Sequence, residues 1–235
     1  MRMGIIGAMD SEVTNLIARM EQVTYCEKAG RRFAVGTLAG KEAIVVQSGI
    51  GKVAAAITAQ MLIDGFGVDA LLNTGMAGGL DSRLAVKDLV IATAALQHDF
   101  DITAFGHARG FMYGEDDTKP TLFVADKTLC DKAKIAAEAV LPAGSKAIDG
   151  IVASGDVFVD DSALKAQLRD GFGAAAAEME GAAIAQTAVA NGIPFVILRT
   201  ISDLAEHQAN VSFDELEQYA GKLAGDITVA LLASL

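Results

Sequence analysis

What most constrains this chain is a rhythm. Short, continuous apolar runs rich in β-branched residues recur along its length and alternate with stretches of helical spacing. "MGIIGAM" (3–9), "KEAIVVQSG" (41–49), "DALLNTG" (69–75), "KDLVIATAALQ" (87–97) and "PFVILRTIS" (194–202) are too apolar to be strands with one face in water. Runs of that kind belong to sheets covered on both faces. Between them lie helical patterns near 11–21, 51–65, 125–140 and 161–170 and over "GAAIAQTAVAN". This last helix ends at Gly192, with Pro194 just beyond. The expected fold is α/β, with a largely buried, mixed sheet and helices on both faces.

The remaining segments fit this plan. "RRFAVGTLAG" and "KEAIVVQSG" (31–49) read as a hairpin-connected pair, and a strand is expected near 149–155. Residues 105–120 are irregular. "AAAAEM" (174–179) is open between strand and helix on pattern alone, since alanine prefers helix. "SFDE" (212–215) has capping-box spacing and opens a helix expected to run almost to Leu235. No linker, repeat or low-complexity segment interrupts the 235 residues, so one domain over 1–235 is expected.

Charge and composition exclude several functions. The net charge is −11 and there is no Lys/Arg run, which argues against nucleic acid or an anionic membrane surface as partner. No stretch reads as a membrane span. The apolar run at the N-terminus is too short for a signal peptide. Cys26 and Cys130 are far apart in sequence, and His98, His107 and His207 form no ligand motif. The reading is a cytoplasmic protein with reduced thiols, no metal, and a small molecule or another protein as partner.

Two groups of residues are candidates for chemistry. "GIGKVA" (49–54) fits the loosest form of a dinucleotide fingerprint, Gly-x-Gly-x-x-Ala between strand and helix. The acid that should end the next strand is missing, because Asp69 precedes its strand, and this argues against a nicotinamide site. The carboxylates at strand ends are more informative. Glu12 lies just past 3–9, Glu180 ends 174–179, and Asp203 ends "PFVILRTIS". Ligands of open α/β sheets bind beyond the carboxyl ends of strands, so three acids from distant positions are expected over one pocket. Taken alone, each is better read as a helix N-terminal acid. Together, with no metal ligands nearby, they suit acid–base cleavage of a glycosidic or nucleosidic bond, with one carboxyl kept protonated by burial and another ionised.

Taken in order, "GIIGAMDSEV", "SGIGKVAAA", "NTGMAGGL", "HDFDITAFG", "ASGDVFV", "AEMEGAAIA" and "RTISDLAE…SFDE" resemble the 5′-methylthioadenosine/S-adenosylhomocysteine nucleosidases, over nearly the whole chain. The resemblance implies a three-layer αβα fold of the nucleoside phosphorylase type, a homodimer, no cofactor, and hydrolysis of an adenine nucleoside to adenine and a 5-thio-substituted ribose. It implies that Asp203 protonates adenine N7 with support from Ser202. It gives Glu12 the role of activating water, with Arg199 near that water. Glu180 would hold the ribose hydroxyls and Met179 would pack on the sugar. Phe158 would stack on the purine, and Val159 would bond it through its backbone. Ile50 and Phe213 match apolar walls, Ala77 and Gly78 backbone contacts, and Ile102 and Phe105 a segment lent by a partner subunit. Glu178 is expected to point to the other side from Glu180 if the run is extended, and is read as structural, satisfying backbone groups. The chain departs from the family pattern at Met76, where members commonly carry Ser. Three rivals stand beside this reading. One is a purine nucleoside phosphorylase on the same fold. Another is a nucleosidase for a different adenine nucleoside, 5′-deoxyadenosine or 6-amino-6-deoxyfutalosine. The third is a non-catalytic nucleoside sensor.

Overall fold

A computed structural model describes the backbone of residues 1–204 and 213–235 and the side chains of residues 1–202 and 218–235. Its elements, in chain order, are β1 (Met3–Gly7), α1 (Asp10–Ile17), β2 (Glu21–Lys28), β3 (Arg31–Leu38), β4 (Lys41–Gln47), α2 (Lys52–Phe66), β5 (Ala70–Gly79), β6 (Leu89–Gln97), β7 (Phe123–Val124), α3 (Lys127–Val140), β8 (Ala147–Ser154), α4 (Ser162–Phe172), β9 (Ala174–Glu178), α5 (Gly181–Ala190), β10 (Phe195–Leu204) and α6 (Phe213–Ser234). A single 3-10 turn covers Thr103–Phe105.

The strands form one mixed sheet in the order β10-β6-β8-β9-β5-β1-β4-β3-β2, and β10 also pairs with β5. The five strands β5, β10, β6, β8 and β9 therefore pair around a closed circuit, and β1, β4, β3 and β2 extend from it as an open wing. Helices cover both faces: α2 packs against α5, and α6 against α1 and α3. This is the expected αβα sandwich. The apolar runs singled out above are its core: β1 is buried throughout, as are Leu71 and Leu72 of β5 and Phe195–Leu198 of β10.

The structure corrects the sequence reading at several element boundaries. The first helix ends at Ile17, and β2 follows at once where no strand was expected. Nearly every β2 side chain is exposed, so the strand has no apolar alternation to reveal it. The run 174–179 resolves as strand because β9 is paired on both edges, to β8 and to β5; pairing overrides alanine's helical preference. β5 runs on to Gly79, past the expected end at 75, because β10 stays paired with it that far. Among the described residues no helix is long and apolar enough to cross a membrane. The capping box expected at 212–215 lies outside the described side chains.

Candidate active site

The site grows out of a gap in the sheet. One edge of β5 pairs with β1 as far as Asn73 and with β9 only from Gly78 onward. Between those points neither strand covers that edge, so its backbone groups need other partners. Glu12 supplies one. It sits in the first turn of α1 and folds back on the chain, with Oε2 accepting hydrogen bonds from the amides of Ala8 (2.6 Å) and Met9 (3.0 Å). Its Oε1 accepts from the amide of Met76 at 3.1 Å, inside the gap. Gly75 makes this approach possible: a Cβ there would lie 2.3 Å from Glu12 Oε1. Glu12 is buried, and loss of hydration raises its pKa above the ordinary carboxylate value. The nearby Arg199 charge and the three amides pull it back.

The second wall comes from the turn between β9 and α5. Glu178 ends the strand, Met179 follows, and Glu180 occupies the N-cap position of α5. Glu180 Oε1 accepts from the amide of Gly51 at 2.8 Å. That amide is presented by the turn before α2, where Gly49 (φ +81°) and Gly51 (φ +97°) adopt a backbone that other residues rarely take. The "GIGKVA" stretch thus aims an amide at a carboxylate. Asp69, the acid tested as its partner, instead accepts from the amide of Arg2 at 2.7 Å. Glu180 is 6% exposed. Burial, followed by repulsion from Glu178, raises its pKa to about 7, against the opposing pull of Arg199.

Beneath both walls lies Arg199, a fully buried guanidinium on β10. Its Nε donates to Glu178 Oε2 at 3.1 Å, and its Nη2 donates to both Glu178 Oε2 and Asn73 Oδ1. Asn73 is in turn fixed by donating to the Ile6 carbonyl at 3.0 Å. Three buried carboxylates, Glu12, Glu178 and Glu180, thus surround one buried guanidinium. The surplus of negative charge suits a cationic species in the cavity, and it also raises the proton affinity of the acids.

The rim is apolar. Ile50 is 61% exposed, Phe158 67% and Val157 46%, while Val159 is buried. A polar clasp ties the two rim loops together. The Lys52 amide donates to Asp156 (2.8 Å), the Asp156 amide donates to Asp99 (2.9 Å), and Lys52 Nζ donates to Asp99 (2.6 Å).

Of the residues expected at a site, Glu12, Ile50, Ala77, Gly78, Phe158, Val159, Met179, Glu180 and Ser202 line this one cavity. Arg199 lies under it, against Glu178. Ile102 and Phe105 do not line it, and Phe105 is 79% exposed. Asp203 continues β10 opposite Gly78, one residue beyond Ser202. Its side chain, like that of Phe213, lies outside the described residues. Sequence reasoning missed Ala8, Met9, Val157 and Ala177 in the lining, and Asn73 and Ser154 beneath it. Met9 and Val157 sit inside quoted motifs, "GAMDSE" and "SGDVFV", which was their only signal. Glu178 does not point away from the site: it lines the cavity with Glu180, because residues two apart along an extended run share a face. It does satisfy the backbone amides of Glu180 and Gly181, and it also holds Arg199. Met76 presents its amide to Glu12 and adds a thioether to the wall.

The sequence model of the Phosphorylase superfamily matches residues 2–233. A 5′-methylthioadenosine/S-adenosylhomocysteine nucleosidase of Shewanella halifaxensis is 42% identical, with all of both chains covered. Among solved structures, the nucleosidase of that name from Colwellia psychrerythraea 34H, in complex with adenine, superposes with a TM-score of 0.90 at 39% identity, covering 100% of this chain and 96% of that one. The futalosine hydrolase of Helicobacter pylori superposes with a TM-score of 0.90 at 33% identity, covering 100% and 98%. By sequence over its whole length and by fold, the chain belongs to the 5′-methylthioadenosine/S-adenosylhomocysteine nucleosidase family of the phosphorylase superfamily.

Proposed function

We propose that the protein hydrolyses the N-glycosidic bond of 5′-methylthioadenosine and S-adenosylhomocysteine, releasing adenine and a 5-thio-substituted ribose. The observation that carries this reading is the meeting of Glu12 and Glu180, from opposite ends of the chain, in one apolar-rimmed cavity over a shared buried arginine. In the proposed reaction Asp203, with Ser202 beside it, protonates N7 so that adenine leaves neutral. The ribose becomes oxocarbenium-like, and the surplus of buried carboxylates favours that positive charge. Glu12 accepts a proton from the attacking water, and its elevated proton affinity supports that role. Glu180 accepts hydrogen bonds from the ribose hydroxyls in its ionised form. Phe158 stacks on the purine above the backbone of Val159, and Ile50, Met179, Ala77, Gly78 and Phe213 complete the walls.

Hydrolysis is favoured over phosphorolysis by charge. A phosphate dianion needs cationic partners. Among the described residues, no Lys or Arg lines the cavity, and Glu12, Glu178 and Glu180 do. A non-catalytic sensor would have no use for a buried base such as Glu12. A second substrate class, the adenine nucleosides with other 5′-substituents, is favoured by the close superposition of the futalosine hydrolase. The test is adenine release in phosphate-free buffer from methylthioadenosine, S-adenosylhomocysteine, 5′-deoxyadenosine and 6-amino-6-deoxyfutalosine. Turnover of the first two at the highest kcat/KM is expected, and preference for either of the others would replace this reading.

A homodimer completes the proposal. Ile50, Val157 and Phe158 leave an exposed apolar surface at the cavity mouth, and Val53 and Phe105 are exposed as well, which favours cover by a second copy. Ile102 and Phe105 of that copy would then face the 5′-substituent. Sedimentation at micromolar concentration tests the dimer, and a monomer there would remove it. A reduced, cytoplasmic setting fits the two free thiols, Cys26 and Cys130.

A further inference from the structure

Among the described residues, Glu178 has more hydrogen-bond partners than any other carboxylate around the cavity. Its Oε1 accepts from the Ser154 hydroxyl and, at 3.0 Å, from the amide of Gly181. Its Oε2 accepts from the amides of Glu180 (3.1 Å) and Gly181 (2.8 Å) and from Nε and Nη2 of Arg199. Ser154 passes the arrangement on, accepting from the amide of Ala182 at 2.7 Å. A single carboxylate therefore binds the first amides of α5 and the arginine under the cavity together. With both oxygens fully engaged, it has no free acceptor to offer a substrate.

The competition for Arg199 gives this a consequence. Glu12, Glu178 and Glu180 all act on the one guanidinium through space, but among the described residues only Glu178 pairs with it directly. Among the described residues, Glu12 is left bonded to amides alone, and Glu180 is left with one amide bond through Oε1. A direct ion pair to Arg199 would quench the basicity of the first or occupy the free acceptor of the second.

We propose that Glu178 is a positioning residue for the reaction: it captures Arg199 and fixes the Met179–Glu180 turn, which keeps Glu12 and Glu180 free of ion pairing and aimed into the cavity. The proposal rests on the nucleosidase reading above and adds to it a residue that acts without touching the substrate.

Among the described residues, the charged groups facing Glu180 are Glu178 from β9, Arg199 from β10 and Glu12 from α1, together with the Gly51 amide ahead of α2. Replacing Glu178 with an uncharged isostere removes a repelling neighbour and frees Arg199 to act on the remaining acids. Both changes favour the ionised forms of Glu180 and Glu12. The acidic limb of the pH profile therefore moves to lower pH, which a purely structural role would not cause.

The experiment measures wild type, Glu178→Gln and Glu178→Asp for adenine release from methylthioadenosine between pH 5 and 9, and for equilibrium binding of adenine. In Glu178→Gln, kcat is expected to fall at least tenfold and the acidic limb of kcat/KM to move down by about one pH unit. In Glu178→Asp, which keeps the charge but shortens the arm, kcat is expected to fall at least tenfold, with the limb in place and adenine affinity within threefold of wild type. The proposal is overturned if Glu178→Gln lowers kcat with its limb unmoved, or if either variant keeps kcat within a factor of two. Should Glu178→Gln not fold, Glu178→Asp decides: loss of adenine affinity in step with kcat makes the residue merely structural. Absence of adenine release by wild type would instead defeat the nucleosidase reading itself.

Discussion

Replacing Glu180 with Gln should stabilise the unliganded protein at alkaline pH. The carboxyl is buried, repelled by Glu178, and held by one amide from Gly51. Its pKa rises from an ordinary 4.5 to about 7 in the folded chain. The folded state thus holds a proton between those values that the unfolded chain has already released. Stability must therefore fall as pH rises through that window, and the loss is complete above it. A shift of this size corresponds to about 3 kcal/mol, at roughly 1.4 kcal/mol per pH unit. For a chain of this length that is about 6–12 °C in Tm. Gln keeps the shape and the acceptor for Gly51 but carries no charge to desolvate. Thermal unfolding of both proteins at pH 5 and pH 8 is the assay. Glu180→Gln should unfold several degrees above wild type at pH 8, and most of that gap should close at pH 5. Turnover should drop, because the ribose hydroxyls lose their anionic acceptor. A variant that is no more stable at pH 8, or a gap that does not depend on pH, would refute the electrostatic reasoning.

Two further outcomes follow from the same site. Asp203→Asn should retain the fold and lose about 10²–10⁴ in kcat, the usual contribution of a general acid; near-normal adenine release would remove Asp203 from that role. Gly75→Ala places a methyl 2.3 Å from Glu12 Oε1 and forces the carboxylate away from the Met76 amide. Displacing a reacting group by about 1 Å costs up to about 10²-fold, so kcat should fall by that order while adenine still binds, as steady-state kinetics and calorimetry would show.

The parts of this protein that were legible in its sequence are those where burial alone dictates the residues. β1, β4, β5 and β10 are apolar because helices cover both of their faces, so each announced itself as an unbroken run. β2 did not, because its exposed side chains carry no pattern. At the site, Glu12 and Glu180 were legible as acids out of place at the ends of apolar runs. What holds them was not. The amide that meets Glu12 comes from a gap where β5 passes from one neighbour to another, and pairing of that kind is a property of the assembled sheet. Arg199 could be placed near the water only by resemblance, because its partners Asn73 and Glu178 are 126 and 21 residues away in sequence. Glu178 was read as a structural acid for a sound local reason, its bonds to the next backbone amides. Its hold on Arg199 depends on β9 and β10 entering the same closed circuit of strands.

The central claim is that buried carboxylates guide water, and not phosphate, onto the sugar. Its most direct test is methylthioadenosine turnover with and without phosphate, with the sugar product identified. Equal rates of adenine release and a free 5-methylthioribose in both buffers are expected. Phosphate-dependent turnover yielding a sugar 1-phosphate would contradict the account.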